Sequence, residues 1–340
     1  MFGLGWLRAL TDARGLLEHA HHGVPRLGEG YTTDDNARAL LYLSLLAEGA
    51  RDEGLVRTYL AFLLHMQKED GRFRNGLTLD GRFEDEGEAE DPTGRAVLAL
   101  AAAQRLPPPY AGPAREALLR ALPALEGFTS LRGRAYALLG LLALPKEPFL
   151  EAAEALGEGL LRAFREAEPA WPYPGPLTYA NHRPVEALYA YGLAFRRQEA
   201  VALARRALAF LKEHYFTPGE EGLFFDPVGN RFMARGRDKP LFDQQPIEAK
   251  CALLAHLRFG ERVLAEVAFL WFHGRNRLRA PLVDAFGPMD GLTPHGPNQN
   301  RGAEALLAYL LAWQALVQGV FPQVDEGVAL GRVFALGGRP

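Results

Sequence analysis

The sequence predicts an all-α fold, an (α/α)6 toroid with short β-hairpins in the loops at one end, and two observations carry that expectation. The first is a polar-then-apolar phrase that returns six times: DDNARALLYL from Asp34, PTGRAVLAL from Pro92, LRGRAYALLGL from Leu131, HRPVEALYAYGL from His182, QQPIEAKCALLAHL from Gln244 and QNRGAEALLAYLLA from Gln299. Each copy sets a charged residue directly before an alanine: Arg38, Arg95, Arg134, Glu186, Glu248 and Glu304. The copies recur at about 40 to 60 residues, room for two helices and their loops, so each marks one helical hairpin. The second observation is that helices carrying the phrase are apolar almost all round after their first turn, whereas those between them keep one charged face. A helix apolar all round is buried, so six inner helices sit within six outer ones.

Apolar spacing and glycine or proline punctuation place the helices in order. Residues 4–20 open the ring as an outer helix, and 34–49 follow as the first inner one. Outer and inner then alternate over 53–67, 93–106, 112–126, 130–143, 147–167, 184–197, 199–214, 245–258, 260–273 and 301–318. AREALLRALPALEG and EAVALARRALAFLKEHY show the outer pattern, AVLALAAA and AYALLGLLAL the inner. Long polar segments at 21–33, 68–91, 168–183, 215–244 and 274–300 each lead into an inner helix. In a toroid they gather at one end, and loops of such length are usually functional. Two of them read as hairpins, GRFRNGLTLDGRFEDE turning at Asp80-Gly81 and EGLFFDPVGNRFMARG turning at Gly229-Asn230. Residues 319–340 read as an irregular tail, and 1–340 as a single toroid domain.

Composition narrows the function. A net charge of -3 without a long basic run argues against nucleic acid. No run of apolar residues is long enough to span a membrane, and the N-terminus lacks a basic segment before an apolar run, so a cytoplasmic, soluble protein is expected. The one cysteine, Cys251, lies in the apolar stretch AKCALLAHL and reads as a buried, inert thiol. Arginine greatly outnumbers lysine, as in a thermophilic source or a GC-rich genome. His19, His21 and His22 lack partners at ligand spacing, so no metal and no cofactor are expected. No G-x-S-x-G nucleophile elbow occurs.

The polar residues just before the inner helices converge on one mouth. Glycoside cleavage needs two carboxyl groups, one protonated to donate to the leaving oxygen and one ionised to activate water or attack the sugar. Asp34, Asp35, Asp91, Asp290 and Glu304 are the candidates, with Glu90 beside Asp91. Asp34 and Asp35 also suit helix capping. A sugar further asks for aromatic faces and planar amides. Asn36, Trp171, Tyr179, Asn181, Arg183, Gln244, Gln245, His295, Asn298 and Asn300 are the candidates for binding it. Arginines at the mouth leave room for phosphate as a co-substrate. Three inner helices carry Arg before Ala and the next three carry Glu, so at least one of the contacts Arg134–Glu186 and Arg38–Glu304 is expected between neighbours.

HAHHGVPRLGEGYTTDDNARAL, GRFRNGLTLDGRFEDEGEAEDPTGRAVLAL, LTYANHRPVEAL, FDQQPIEA and WFHGRNRLRAPLVDAFGPMDGLTPHGPNQNRGAEALLAYL together resemble a bacterial set within the six-hairpin glycosidase-like superfamily. Members occur alone or joined to group 1 glycosyltransferase domains, so the resemblance implies a carbohydrate substrate and leaves open a glycosyltransferase partner. It covers roughly residues 15–315 and carries over Asp34, Asp35, Asn36, Asp91, Gln244, Gln245, Asp290, Asn298, Asn300 and Glu304. The chain departs from it at WPYPGPLTYAN, where relatives tend to have an acidic pair after the tryptophans and then Tyr-Asp-Asn. Catalysis resting on those acids would be altered here. Three readings stay open: a hydrolase or phosphorylase of glycosides, a carbohydrate-binding module without catalysis, and a sugar epimerase using histidines that face the cavity.

Overall fold

The computed structural model describes residues 3–84, 90–144 and 146–320. They contain twelve α-helices: α1 (Leu4–Ala9), α2 (Thr33–Leu45), α3 (Glu53–Met66), α4 (Glu90–Ala102), α5 (Pro108–Leu125), α6 (Leu131–Leu141), α7 (Phe149–Arg165), α8 (His182–Ala194), α9 (Gln198–Tyr215), α10 (Pro246–Arg258), α11 (Arg262–Leu270) and α12 (Ala303–Gln318). The even-numbered helices touch one another in chain order and α12 returns to α2, which closes the inner ring. The odd-numbered ones pack outside, so the fold is the expected (α/α)6 toroid. Inner helices are buried on every face: all residues of α10 from Pro246 to His256 are buried, as are all of α2 except Asp34.

Local chemistry starts these helices where the site needs them. The Thr32 hydroxyl accepts from the Asp35 N–H at 3.3 Å and donates to Asp35 Oδ2 at 3.0 Å, an N-cap that orients the first turn of α2. Ser130 caps α6 through the Gly133 N–H at 3.2 Å. Backbones of α4 and α6 meet at glycines: a Cβ on Gly94 would run into Gly133 O, and one on Gly140 would come within 2.7 Å of Leu98 Cα.

Eleven short strands lie in connections that lead into inner helices: β1 (Ala20–His21), β2 (Val24–Pro25), β3 (Tyr31–Thr32), β4 (Gly76–Leu77), β5 (Phe83–Glu84), β6 (Phe216–Gly219), β7 (Gly222–Phe225), β8 (Val283–Asp284), β9 (Gly287–Pro288), β10 (Gly291–Thr293) and β11 (Gly296–Asn298). The hairpin expected around Asp80-Gly81 is β4–β5, and β3 pairs with β4 as a third strand. Gly81 takes the left-handed conformation of the turn, φ 85°.

Four expectations need correction or closure. The first helix does not run over 4–20. It ends at Ala9, because Thr11 donates back to Leu7 O at 2.6 Å and Asp12 Oδ1 accepts from the N–H groups of Arg14 and Gly15, turning the chain. The second hairpin turns at Glu220-Glu221, not at Gly229-Asn230. Helix α9 runs straight into β6, where buried Phe216 pairs with Phe225, and Gly229 instead packs against the Phe242 backbone. Arg134 does not meet Glu186: its guanidinium turns outward to the carbonyls of Phe128 and Gly159, while Glu186 pairs with Arg183 and Arg258. Of the irregular tail, residues 321–340 lie outside the described residues. Among the described residues no helix is long and apolar enough to cross a membrane, and Cys251 is buried and unpaired.

Candidate functional site

The N-terminal ends of three inner helices, α2, α10 and α12, border a cavity of about 320 Å³, whereas those of α4, α6 and α8 do not reach its lining. Asp34, Asp35 and Arg38 reach it from α2, Gln245 and Pro246 from the start of α10, and Gly302, Glu304 and Ala305 from the start of α12. Glu18, His19, Asn75 and Asp290 complete the wall from the loops. Four of the five expected carboxylates therefore share one cavity, together with Gln245. A larger cleft of about 480 Å³ between α5 and α7 gathers no such set, and its acids Glu126 and Glu151 are exposed outer-ring charges.

Arg38 organises the acidic wall. One arm holds Asp35 Oδ1 at 2.5 Å and the other reaches Glu304 Oε2 at 3.1 Å, so the expected contact between the first and last inner helices is present. Asp34 is held by Arg95 of α4. Asp290 accepts the Gly302 N–H on Oδ1 at 2.6 Å, which ties the 290 loop to the start of α12. Glu18 stands 3.5 Å from His19 Nε2.

Burial and mutual repulsion set the protonation of this wall. Burial, reinforced by Asp35 and Asp34, pushes Glu18 up to about 8, although a third of its side chain stays open to solvent. Burial also raises Asp290 against the opposing Gly302 N–H and His19, with Glu304 and Asp35 adding to the rise. Asp35 is raised by burial despite Arg38. Glu304 keeps 38% of its side chain exposed, so water reaches it. One cavity thus holds Glu18, raised by burial, and the partly exposed Glu304 that Arg38 engages.

The other expected residues stand elsewhere. Asp91 belongs to a separate cluster with Ser130, Arg132 and Tyr179, and the Arg132 guanidinium lies 3.9 Å above the Tyr179 ring. Although burial pushes Asp91 up, Arg132 and Arg95 hold it below the ordinary carboxylate range. Neighbouring Glu90 binds the N–H groups of Thr129 and Ser130 as a structural clamp. Asn36 is spent on the backbone of Leu16 and Thr32. Asn181 bridges Thr178 and Tyr215, and Gln244 bridges Asp226 and Trp271. The Trp171 indole donates to Gly175 O at 2.8 Å and borders a proline-rich rim cleft. His295 is exposed at the β10–β11 turn, and Asn298 accepts the Asn300 N–H. Arg183 is buried at the ring axis, paired with Glu186.

Glu18, His19 and Asn75 were not among the residues expected for catalysis or sugar binding. Residues 16–20 read as the end of an outer helix, and only the turn-forming Thr11-Asp12 and Gly15 signal that this segment leaves the helix and lies along the mouth. The lining contains no Trp, Tyr or Phe, and His19 is its only histidine. Among the described residues no group of three His, Cys, Asp or Glu could hold a metal ion.

No family model matches the sequence, and no curated protein matches it. Solved structures do share its fold. A cellobiose 2-epimerase from Bacillus thermoamylovorans superposes with a TM-score of 0.67 at 8% identity, covering 91% of this chain and 95% of that one. A D-mannose isomerase gives 0.69 at 10% identity over 93% and 95%. An α-1,6-mannanase from Salegentibacter gives 0.59 at 12% identity over 93% and 98%. At these identities the likeness establishes the six-hairpin toroid and nothing finer.

Proposed function

We propose that this protein is a carbohydrate-active enzyme that hydrolyses a glycosidic bond at the mouth of the toroid. The observation that carries the reading is that Glu18, pushed up to about 8, and Glu304, partly open to water and held by Arg38, line one cavity. Environments that push carboxyl groups of one site apart in protonation assign the acid and the base.

Glu18 gives its proton to the departing glycosidic oxygen as the bond to the anomeric carbon breaks. Glu304 takes a proton from water, whose oxygen forms the new bond to that carbon. Glu18 ends ionised and Glu304 protonated, and exchange with solvent restores both. Gln245 and Asn75 supply planar amides for hydroxyl groups. The carboxyl-lined wall disfavours phosphate as the attacking group through like charge.

The test is a panel of α- and β-linked oligosaccharides, with and without phosphate, followed by product NMR in deuterated water. Hydrolysis independent of phosphate is expected, reduced at least about 100-fold in Glu18→Gln and Glu304→Gln. Unchanged turnover in both variants, or deuterium at the sugar C2 with the linkage intact, would overturn the reading, the second outcome pointing to epimerisation.

A further inference from the structure

Below the acidic mouth the interior changes sign. Five of the six inner helices carry a buried hydrogen-bond donor: Arg38 from α2, Arg95 from α4, Tyr136 from α6, Arg183 from α8 and Lys250 from α10. All are buried, with exposures of 6, 4, 2, 3 and 2% in that order. They lie together: the Arg95 and Arg183 guanidiniums stand 4.7 and 5.6 Å from the centre of the Tyr136 ring. Burial holds Lys250 below the usual lysine range, at about 8, against the opposing Cys251, and Arg183, Arg38 and Arg95 add to the drop.

The carboxylates within reach are already engaged. Asp35 and Glu304 bind Arg38, Asp34 binds Arg95, and Glu186 binds Arg183 and Arg258. What remains is mostly donors, with Asp34 Oδ1 and Glu248 Oε2 the carboxyl oxygens also left without a partner among the described residues. The Nε–H groups of Arg38, Arg95 and Arg183 and the Tyr136 hydroxyl are buried with no hydrogen-bond partner among the described residues. Lys250 makes no ion pair with any of these acids. A buried donor left unmade is costly, and a buried charge without a counterion more so. A water molecule accepts from only two of these donors and adds two of its own. An oxyanion accepts from more of them at once and offsets their charge.

We propose that the ring axis beneath the mouth is a binding site for an oxyanion, either free inorganic phosphate or the phosphate or carboxylate of an acidic sugar. Lys250 and the three guanidinium Nε–H groups hold it, and Arg38, which also lines the mouth cavity, forms the wall between the two sites. The site stands independently of the hydrolase reading, because it concerns binding and uses none of the mouth carboxylates.

The test is calorimetric binding and thermal denaturation of the full chain with sodium phosphate, glucose 6-phosphate, glucuronate and glucose, at constant ionic strength in chloride. Saturable binding and stabilisation by an oxyanion, weakened at least about tenfold in Lys250→Met, is the expected result, a loss matching one charge-assisted hydrogen bond. Lys250→Met removes a buried unpaired charge, so it should itself fold and melt no lower than the parent. Tyr136→Phe, which keeps the ring against both arginines, should weaken binding by a smaller factor. A response to phosphate identifies a free anion; a response to the acidic sugars but not to phosphate identifies a substrate group. No response to any of them, or an equal response in Lys250→Met, overturns the proposal while leaving the mouth carboxylates as they are.

Discussion

Arg38 and Glu304 meet at 3.1 Å although 266 residues separate them, and their contact closes the ring between its first and last inner helices. The same guanidinium holds the buried Asp35. Arg38→Met should therefore cost about 3 to 5 kcal/mol, the usual penalty for stranding one partner of a buried pair. Arg38→Met with Asp35→Leu should recover much of it. Urea denaturation at pH 7 measures both, and an equal loss in the single and double variants would contradict the pairing.

The proposed acid Glu18 should set an alkaline limit on turnover. Its carboxyl is raised to about 8, so the acid form is present below that pH and lost as pH rises through it. A kcat/KM profile on a cleaved substrate should fall above about pH 8, and Glu18→Gln should remove that limb along with most of the rate. A limb that persists in the variant would assign it to another group.

Asp290 and Asp35 frame the same cavity. Asp290→Asn and Asp35→Asn, which loosen the start of α12 and Arg38 and so misplace Glu304, are each expected to lower turnover about 100-fold, the range of a misplaced catalytic group. Asp91→Asn, outside the lining, should leave the rate within a few-fold. Steady-state kinetics with circular dichroism as a folding control distinguishes the two classes.

Buried Glu248 makes stability fall with pH. Burial raises it from 4.5 to about 8, against the opposing Ala180 N–H that it accepts. Below 4.5 folded and unfolded chains both hold the proton. Between 4.5 and 8 only the folded chain does, so stability present in acid is lost as pH rises toward 8. Glu248→Gln can still accept from Ala180 and cannot titrate. Its stability relative to the parent should climb through that window to a few kcal/mol, and a flat difference between pH 4.5 and 8 would rule out this role.

Gly94 sets the spacing of two inner helices. Gly94→Ala gains helix propensity of about 1 kcal/mol but forces α4 off Gly133 O of α6. Overpacking typically costs 1 to 3 kcal/mol, so a net loss in denaturant midpoint is expected. A midpoint at or above the parent's would show that the helices can separate freely.

The toroid was legible because burial writes itself into every inner helix: the charged residue before alanine recurs where each one starts, and the apolar residues follow on all faces. The lining of the mouth cavity was legible where it rides on that phrase, as Asp34, Asp35 and Glu304 do. It was not legible at Glu18, whose place depends on an Asx turn at Asp12 inside an apolar pattern that still reads as helix. Gln244 and Asn36 show the opposite error, for polarity beside a helix start also serves backbone groups that have no other partner. Arg134 and Glu186 match the repeat in register yet point apart, since Arg183 and Arg258 lie nearer to Glu186 and the carbonyls of Phe128 and Gly159 attract Arg134.

The mouth cavity draws its acids from the two extremes of the described chain: Glu18, Asp34 and Asp35 from one end, Asp290 and Glu304 from the other. During synthesis on a ribosome, therefore, the early hairpins emerge with half of an acidic wall and no opposite half. The constellation exists only once α12 has docked against α2. Such an arrangement leaves the acidic wall incomplete until the polypeptide has been made through α12, so the proposed turnover should report completed ring assembly.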